Sequence, residues 1–171
     1  MDTLSADTPG ESDVYVHIRT YGCQMNVLDS RILAGMLRSA GFTVVDDEER
    51  ADVVLFNTCS VRDLSERKVL GKLGMLRHTR ARRPERVLGV CGCMAQLAGD
   101  RIIEKNPHVD FVCGTRARQA IPGLVTAALM RRLTAADATR HNDAHLARLR
   151  AALASPGGIA AAAPPYTEGR V

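Results

Sequence analysis

Asp52-Val53-Val54-Leu55-Phe56-Asn57-Thr58-Cys59-Ser60 decides the fold of this chain. Val53 to Phe56 is apolar without interruption, and with its flanks the run has the length of one strand. A strand with one wet face alternates apolar and polar residues. An unbroken run is what a strand covered by helices on both faces requires. It then breaks into a loop that carries a cysteine.

Similar units lie on either side. Val14-Tyr15-Val16-His17-Ile18-Arg19-Thr20 alternates and is rich in β-branched residues, a first strand that runs into Tyr21-Gly22-Cys23-Gln24-Met25-Asn26. Asn26 reads as a helix N-cap with Asp29 in the first turn. Leu28, Ile32, Leu33, Met36, Leu37 and Ala40 then recur at helical spacing as far as Gly41. Phe42 to Val45 is a short second strand. Beyond the third strand, Val69, Leu73 and Leu76 carry a helix past Gly71 and Gly74, and Pro84 closes it. Val87 to Cys91 is a fourth strand, entering Gly92-Cys93-Met94-Ala95-Gln96. A helix from Ala95 to Asn106, a fifth strand from Val109 to Cys113, and an amphipathic helix from Ile121 to Leu133 interrupted at Pro122 follow.

Strands alternating with helices predict an α/β fold: an open parallel five-stranded sheet with helices on both faces, right-handed crossovers and the flavodoxin-like order 2-1-3-4-5. The domain is expected over residues 14–130. An acidic extension, residues 1–13, precedes it and is expected to be disordered. In the tail, residues 131–171, Asn142 to Ala154 forms one short helix on Leu146, Leu149 and Leu153, and the Pro-, Gly- and Ala-rich stretch from Ser155 is expected to be disordered.

Composition sets bounds on function. The 171 residues are 46% apolar and 25% charged, with no tryptophan, so the core rests on Val, Leu, Ile, Met and Ala. No apolar run approaches a membrane span, and Met1 to Asp13 lacks the basic start and apolar stretch of a secretory signal. A cytoplasmic location with reduced thiols and no membrane partner is therefore expected. Five cysteines at these spacings match no small disulfide framework. The net charge of +4 is concentrated: nine Lys or Arg stand against three acids between Arg62 and Arg86. Such a run is ordinarily a solvated helix face. Its other use is contact with RNA phosphates, electrostatic and weakly sequence-specific because no aromatic residues are interleaved for stacking.

In an open parallel sheet, the loops that follow the strands share one edge. Cys23 follows the first strand, Cys59 the third and Cys93 the fourth. In the expected order these strands are adjacent, ~4.8 Å apart, so three thiolates converge. Gly22 and Gly92 precede two of them and permit close backbone approach. Soft thiolates without matching histidines favour an iron–sulfur cluster over a hard metal. Spacing alone leaves other roles open: three packing cysteines, or structural zinc, although the paired C-x-x-C knuckles of zinc sites are missing. Cys91 and Cys113 read as core residues. His17, His78, His108, His141 and His145 form no metal-binding pair.

The strings at 21–26, 57–62 and 92–96, with Lys68-Val69 and Lys72-Leu73-Gly74 between them, resemble the N-terminal domain of the methylthiotransferases. Gln24-Met25-Asn26 resembles the MiaB-type branch that modifies tRNA; the branch acting on a ribosomal protein has Pro-Lys-Asn there. The resemblance spans Val14 to Leu129. It implies that Cys23, Cys59 and Cys93 hold an auxiliary [4Fe–4S] cluster with one open iron. It further implies a role in methylthiolating isopentenyl-adenosine 37, beside the tRNA anticodon. In the family a radical-SAM barrel holds a second [4Fe–4S] cluster through Cys-x-x-x-Cys-x-x-Cys and uses S-adenosylmethionine. That motif is absent from this sequence, so the isolated chain is expected to be catalytically inactive: a fragment, a truncated product, or one half of a split enzyme with a radical-SAM partner chain. The alternative from another class is a cluster-free flavodoxin-like adaptor that binds RNA or protein.

Overall fold

The computed structural model describes residues 13–59, 63–80, 82–137 and 143–154. The expectations for residues 1–12 and 155–171, for His141, and for Ser60, Val61 and Arg62 of the second cysteine motif lie outside the described residues.

Five strands, β1 (Tyr15–Tyr21), β2 (Thr43–Val44), β3 (Val53–Thr58), β4 (Val87–Gly92) and β5 (Phe111–Cys113), form one parallel sheet in the order β2-β1-β3-β4-β5. The predicted order is the observed one. Between them run α1 (Gln24–Ser39), α2 (Asp63–Arg80) and α3 (Cys93–Lys105). A 3-10 segment (Thr115–Ala120), α4 (Ile121–Asp137) and α5 (Ala144–Ala154) follow β5.

Every residue of β3 and of β4 is buried, as their unbroken apolar runs require. Successive side chains feed two separate cores. Val53 and Leu55 join the core under α1, α4 and α5, whereas Val54 and Phe56 join the one under α2 and α3. Chain order reverses direction between β1 and β3, where α1 leaves on one face and α2 on the other. The crevice at that switch is where doubly wound sheets bind ligands.

Two local expectations are corrected. Asn26 is not the N-cap of α1: Cys23 holds that position, in extended conformation, and Asn26 is the third helical residue. The carboxamide Oδ1 of Asn26 accepts from the Cys23 N–H at 3.3 Å and from its thiol at 3.4 Å, reaching back as the acidic partner of a capping box does. Nor does Pro122 interrupt the last long helix. It is the second residue of α4, where a backbone N–H has no intrahelical partner to lose.

At the amino edge of the sheet, α5 is fastened by charge. Leu146 and Leu149 are fully buried in the α1/α4 core. The Arg148 guanidinium donates to both oxygens of Asp52, at 2.9 and 3.0 Å, lies over the Tyr15 ring and donates to the carbonyl of Asp13.

Candidate functional site: the thiol edge

β1, β3 and β4 end together at the carboxyl edge. Tyr21, Thr58 and Gly92 are aligned across the three strands, and the cysteines come next: Cys59 and Cys93 immediately, Cys23 after the one intervening Gly22. Three residues distant in sequence are thus neighbours because the ladder holds them in step.

Two glycines let the backbones close up. Gly22 has φ +146°, and a Cβ there would stand 2.6 Å from the Cβ of Cys59. Gly92 has φ +99°, and its Cβ would stand 2.3 Å from the carbonyl oxygen of Thr58. No other residue fits either position. Behind them lies a buried polar network. The Asn57 amide donates to the Asn26 carbonyl and to Ser30 Oγ, both at 2.9 Å, and Ser30 Oγ meets Thr20 Oγ1 at 2.6 Å. Thr58 Oγ1 donates to the Cys91 carbonyl at 2.8 Å. Asn26, Ser30, Asn57 and Thr58 are all buried, so these bonds fix where the loops sit. Asn26 and Asn57 serve the loops. Ser30 and Thr20 are bracing residues of this network that sequence reasoning missed; the one signal was a serine four residues after Asn26 on a face that is otherwise apolar.

The thiols differ in setting. Cys23 is exposed, Cys93 half-buried and Cys59 buried. The backbone N–H groups of Asn26 and Met25, pointing at the Cys23 sulfur, hold its thiol below the ordinary range, with a further hydrogen bond from Cys59. Burial pushes the Cys93 thiol up, and the charges of Cys59, Asp29 and Cys23 add to that. The three sulfurs therefore act on one another. Cys91 and Cys113 do not belong to this edge in character. They face each other across β4 and β5, both are buried in the core, and burial pushes Cys113 up to about 11 and Cys91 higher still.

Among the described residues, no three His, Cys, Asp or Glu side chains are arranged to hold a single metal ion. Thiolates sharing one tetrahedral ion stand about 4 Å apart, and thiolates on separate irons of a cluster stand further apart. Described histidines lie elsewhere: His17 bonds the Val45 carbonyl, His108 the Leu73 carbonyl, and His145 sits at the opposite edge beside Asp52. The donor set at the edge is all sulfur, which fits an iron–sulfur cluster in chemistry.

The 3-10 segment after β5 crosses this edge. On one side Arg118 pairs with Asp29 of α1 at 2.9 Å. On the other, Gly114 is packed against Gln96 of α3, where an added Cβ would stand 2.3 Å from the amide oxygen. Nothing in the local sequence marks this segment beyond the turn at Gly114.

Exposed apolar side chains lie on the helices that follow Cys23 and Cys93. Met25 and Leu97 are 68% and 76% exposed, and Leu28 is half exposed. On α2, Arg67, Lys68 and Arg77 are exposed, with no acidic residue from 67 to 80. No helix among the described residues is long and apolar enough to cross a membrane.

The sequence profile of the uncharacterized protein family UPF0004 matches residues 15–114, the span from β1 to the turn after β5. The tRNA-2-methylthio-N(6)-dimethylallyladenosine synthase of Opitutus terrae is 48% identical over 108 residues, 63% of this chain and 22% of that protein. The synthases of the same name from Syntrophotalea carbinolica and Protochlamydia amoebophila are 44% identical over 116 residues and 53% over 98. Those matches cover 68% and 57% of this chain, and 26% and 21% of the relatives. The chain spans about a quarter of the length of the curated relatives it matches.

Proposed function

The chain belongs to the UPF0004 family, and we propose that it is the N-terminal, cluster-holding part of a tRNA methylthiotransferase, serving the methylthiolation of isopentenyl-adenosine 37 beside the anticodon. One observation carries this reading: Cys23, Cys59 and Cys93 follow three adjacent strands whose last residues are in register at the topological switch of the sheet. The relatives' printed name supplies the reaction class and the tRNA substrate.

A [4Fe–4S] cluster bound here would take Cys23, Cys59 and Cys93 on three irons and leave the fourth iron free to exchange a sulfur-bearing ligand. The chain's own residues prepare that site. Amides at the start of α1 favour the thiolate of Cys23. The Asn57–Ser30–Asn26 bonds hold the Cys23 loop against β3. Gly22 and Gly92 allow the three backbones to approach. Arg67, Lys68 and Arg77 on α2 present positive charge to RNA phosphates. Cleavage of S-adenosylmethionine and the second [4Fe–4S] cluster fall to a radical-SAM segment or partner chain, in the cytoplasm.

Anaerobic reconstitution of the full chain with iron and sulfide tests the proposal. About four irons per chain are expected, the content of one such cluster. Cys23→Ala, Cys59→Ala and Cys93→Ala each lower that content, while Cys91→Ala and Cys113→Ala keep it. Unchanged iron in all three edge variants rejects the reading. A colourless protein that still binds RNA favours the cluster-free adaptor, and one tightly bound zinc per chain favours a structural metal.

A further inference from the structure

Beside the thiol edge, between α3 and the 3-10 segment, lies a half-open cavity of about 420 Å³. Its lining includes Gln96, one turn after Cys93, and Gly114, against which the Gln96 amide lies. Its walls are α3, which kinks at Ala98 (φ −133°, ψ 23°), and the start of the 3-10 segment. A guanidinium-bearing residue stands on each wall: Arg101 from α3 and Arg116 from the 3-10 segment. Both are exposed, and among the described residues neither side chain has a hydrogen bond or ion pair. Nearby arginines are already engaged, Arg118 with Asp29 at 2.9 Å and Arg132 with Asp110 at 2.6 Å.

We propose that this cavity binds a backbone phosphate of the RNA strand presented to the thiol edge. Two guanidiniums on facing walls are suited to a phosphodiester, which accepts their N–H groups in forked geometry. Among the described residues no aromatic side chain lines the cavity, so it lacks an aromatic platform for a base, and the contact positions the strand without reading its sequence. The Gln96 amide adds a neutral hydrogen-bonding group to the lining. Asp100, the one carboxylate among the described residues of the lining, opposes binding and sets its sign test. The inference rests on RNA being the substrate, but not on the cluster.

The experiment therefore uses the iron-free full chain and an RNA hairpin of anticodon-arm length, with binding followed by fluorescence anisotropy across a salt series. Replacing both arginines, Arg101→Ala with Arg116→Ala, lowers the slope of log affinity against log salt by about 0.7, the value for one single-strand phosphate left unneutralised. Affinity at about 50 mM salt falls roughly tenfold. Asp100→Asn tightens binding by about twofold, an effect that fades as salt screens it. Arg131→Ala, on the exposed side of α4, leaves the slope unchanged. An unaltered slope in the double variant overturns the proposal, as does an equal loss in Arg131→Ala or failure of the wild-type chain to bind the hairpin at about 50 mM salt. Loss of binding to polyglutamate with RNA binding intact assigns the cavity to an acidic peptide, and overturns it too. Iron uptake is independent of all these outcomes, so failure here is separable from failure of the cluster reading.

Discussion

The two edges of the sheet are built on opposite principles. At the amino edge, Asp52 is fully buried and meets Arg148 at 2.9 Å, His145 at 3.2 Å, Arg83 at 3.3 Å and the Tyr15 N–H at 2.9 Å. Glu85 lies beside Arg83, and Arg86 donates to the carbonyls of Glu48, Glu49 and Ala51. Charge there is mostly answered within the chain, although Arg86 Nη1 is buried without a hydrogen-bond partner among the described residues. At the carboxyl edge, Cys23 and two large apolar side chains, Met25 and Leu97, face outward, and glycines with positive φ hold the loops close. One edge closes on itself and stabilises; the other brings together one exposed, one half-buried and one buried thiol. On the function proposed above, stability and chemistry are separated by the length of one strand.

The largest expected effect lies at the amino edge. Asp52→Ala leaves Arg148, Arg83 and His145 without their shared carboxylate and costs about 3 kcal/mol, the lower end for a broken buried pair because both arginines are partly exposed. Denaturant unfolding measures it, and iron uptake per folded chain stays at the wild-type level. A loss below about 1 kcal/mol would break the contrast between the edges. Gly92→Ala comes next. Forcing a side chain into φ +99° against Thr58 costs about 2 kcal/mol and lowers iron content as well, because it parts β4 from β3. A fully stable Gly92→Ala chain with full iron content removes the argument for enforced approach at the thiol edge.

Acid sharpens the comparison. Burial by itself raises the Asp52 pKa, but the hydrogen bonds from His145 and the Tyr15 N–H and the charge of Arg148 outweigh it and hold the carboxyl below its ordinary value. Its contribution is therefore complete above the unfolded-state pKa of about 3.9 and is lost as pH falls through the lower folded value. Unfolding free energies of wild type and Asp52→Asn measured from neutral pH downward should converge at the acid end. Parallel curves would deny the carboxylate its role. The smallest effect on stability belongs to Cys23→Ala, under about 0.5 kcal/mol for an exposed site. Alkylation with mass-spectrometric detection should still rank the thiols: Cys23 first, Cys93 more slowly, and Cys91 and Cys113 only on unfolding. Early labelling of Cys91 or Cys113 would erase the distinction between edge and core cysteines.

Much of this was legible in the chain. The apolar run 53–56 gave away a doubly covered strand, and strand–helix alternation gave the parallel sheet and its order, because both are repeated local patterns. Cys23, Cys59 and Cys93 could be assigned to one edge for the same reason. The helix start was misjudged at Asn26 because its usual capping preference competes with a less common use, reaching back from the third helical position to Cys23. Pro122 was judged an interruption when the first turn tolerates it. The 3-10 segment and its cavity had no signal, since Arg101 and Arg116 belong to different elements and line one cavity only in the folded chain.

Sequence by itself determined the layers, the strand order and which cysteines share a rim, since those follow from periods of two and 3.6 residues and from the handedness of crossovers. Tertiary structure alone decided that α5 is locked to β3 through Arg148 and Asp52, 96 positions apart. It alone decided that Asn57, Ser30 and Asn26 brace the thiol loops, and that two arginines flank one cavity. Each of these depends on side chains that no local pattern relates, brought together only when the helices have packed on the sheet.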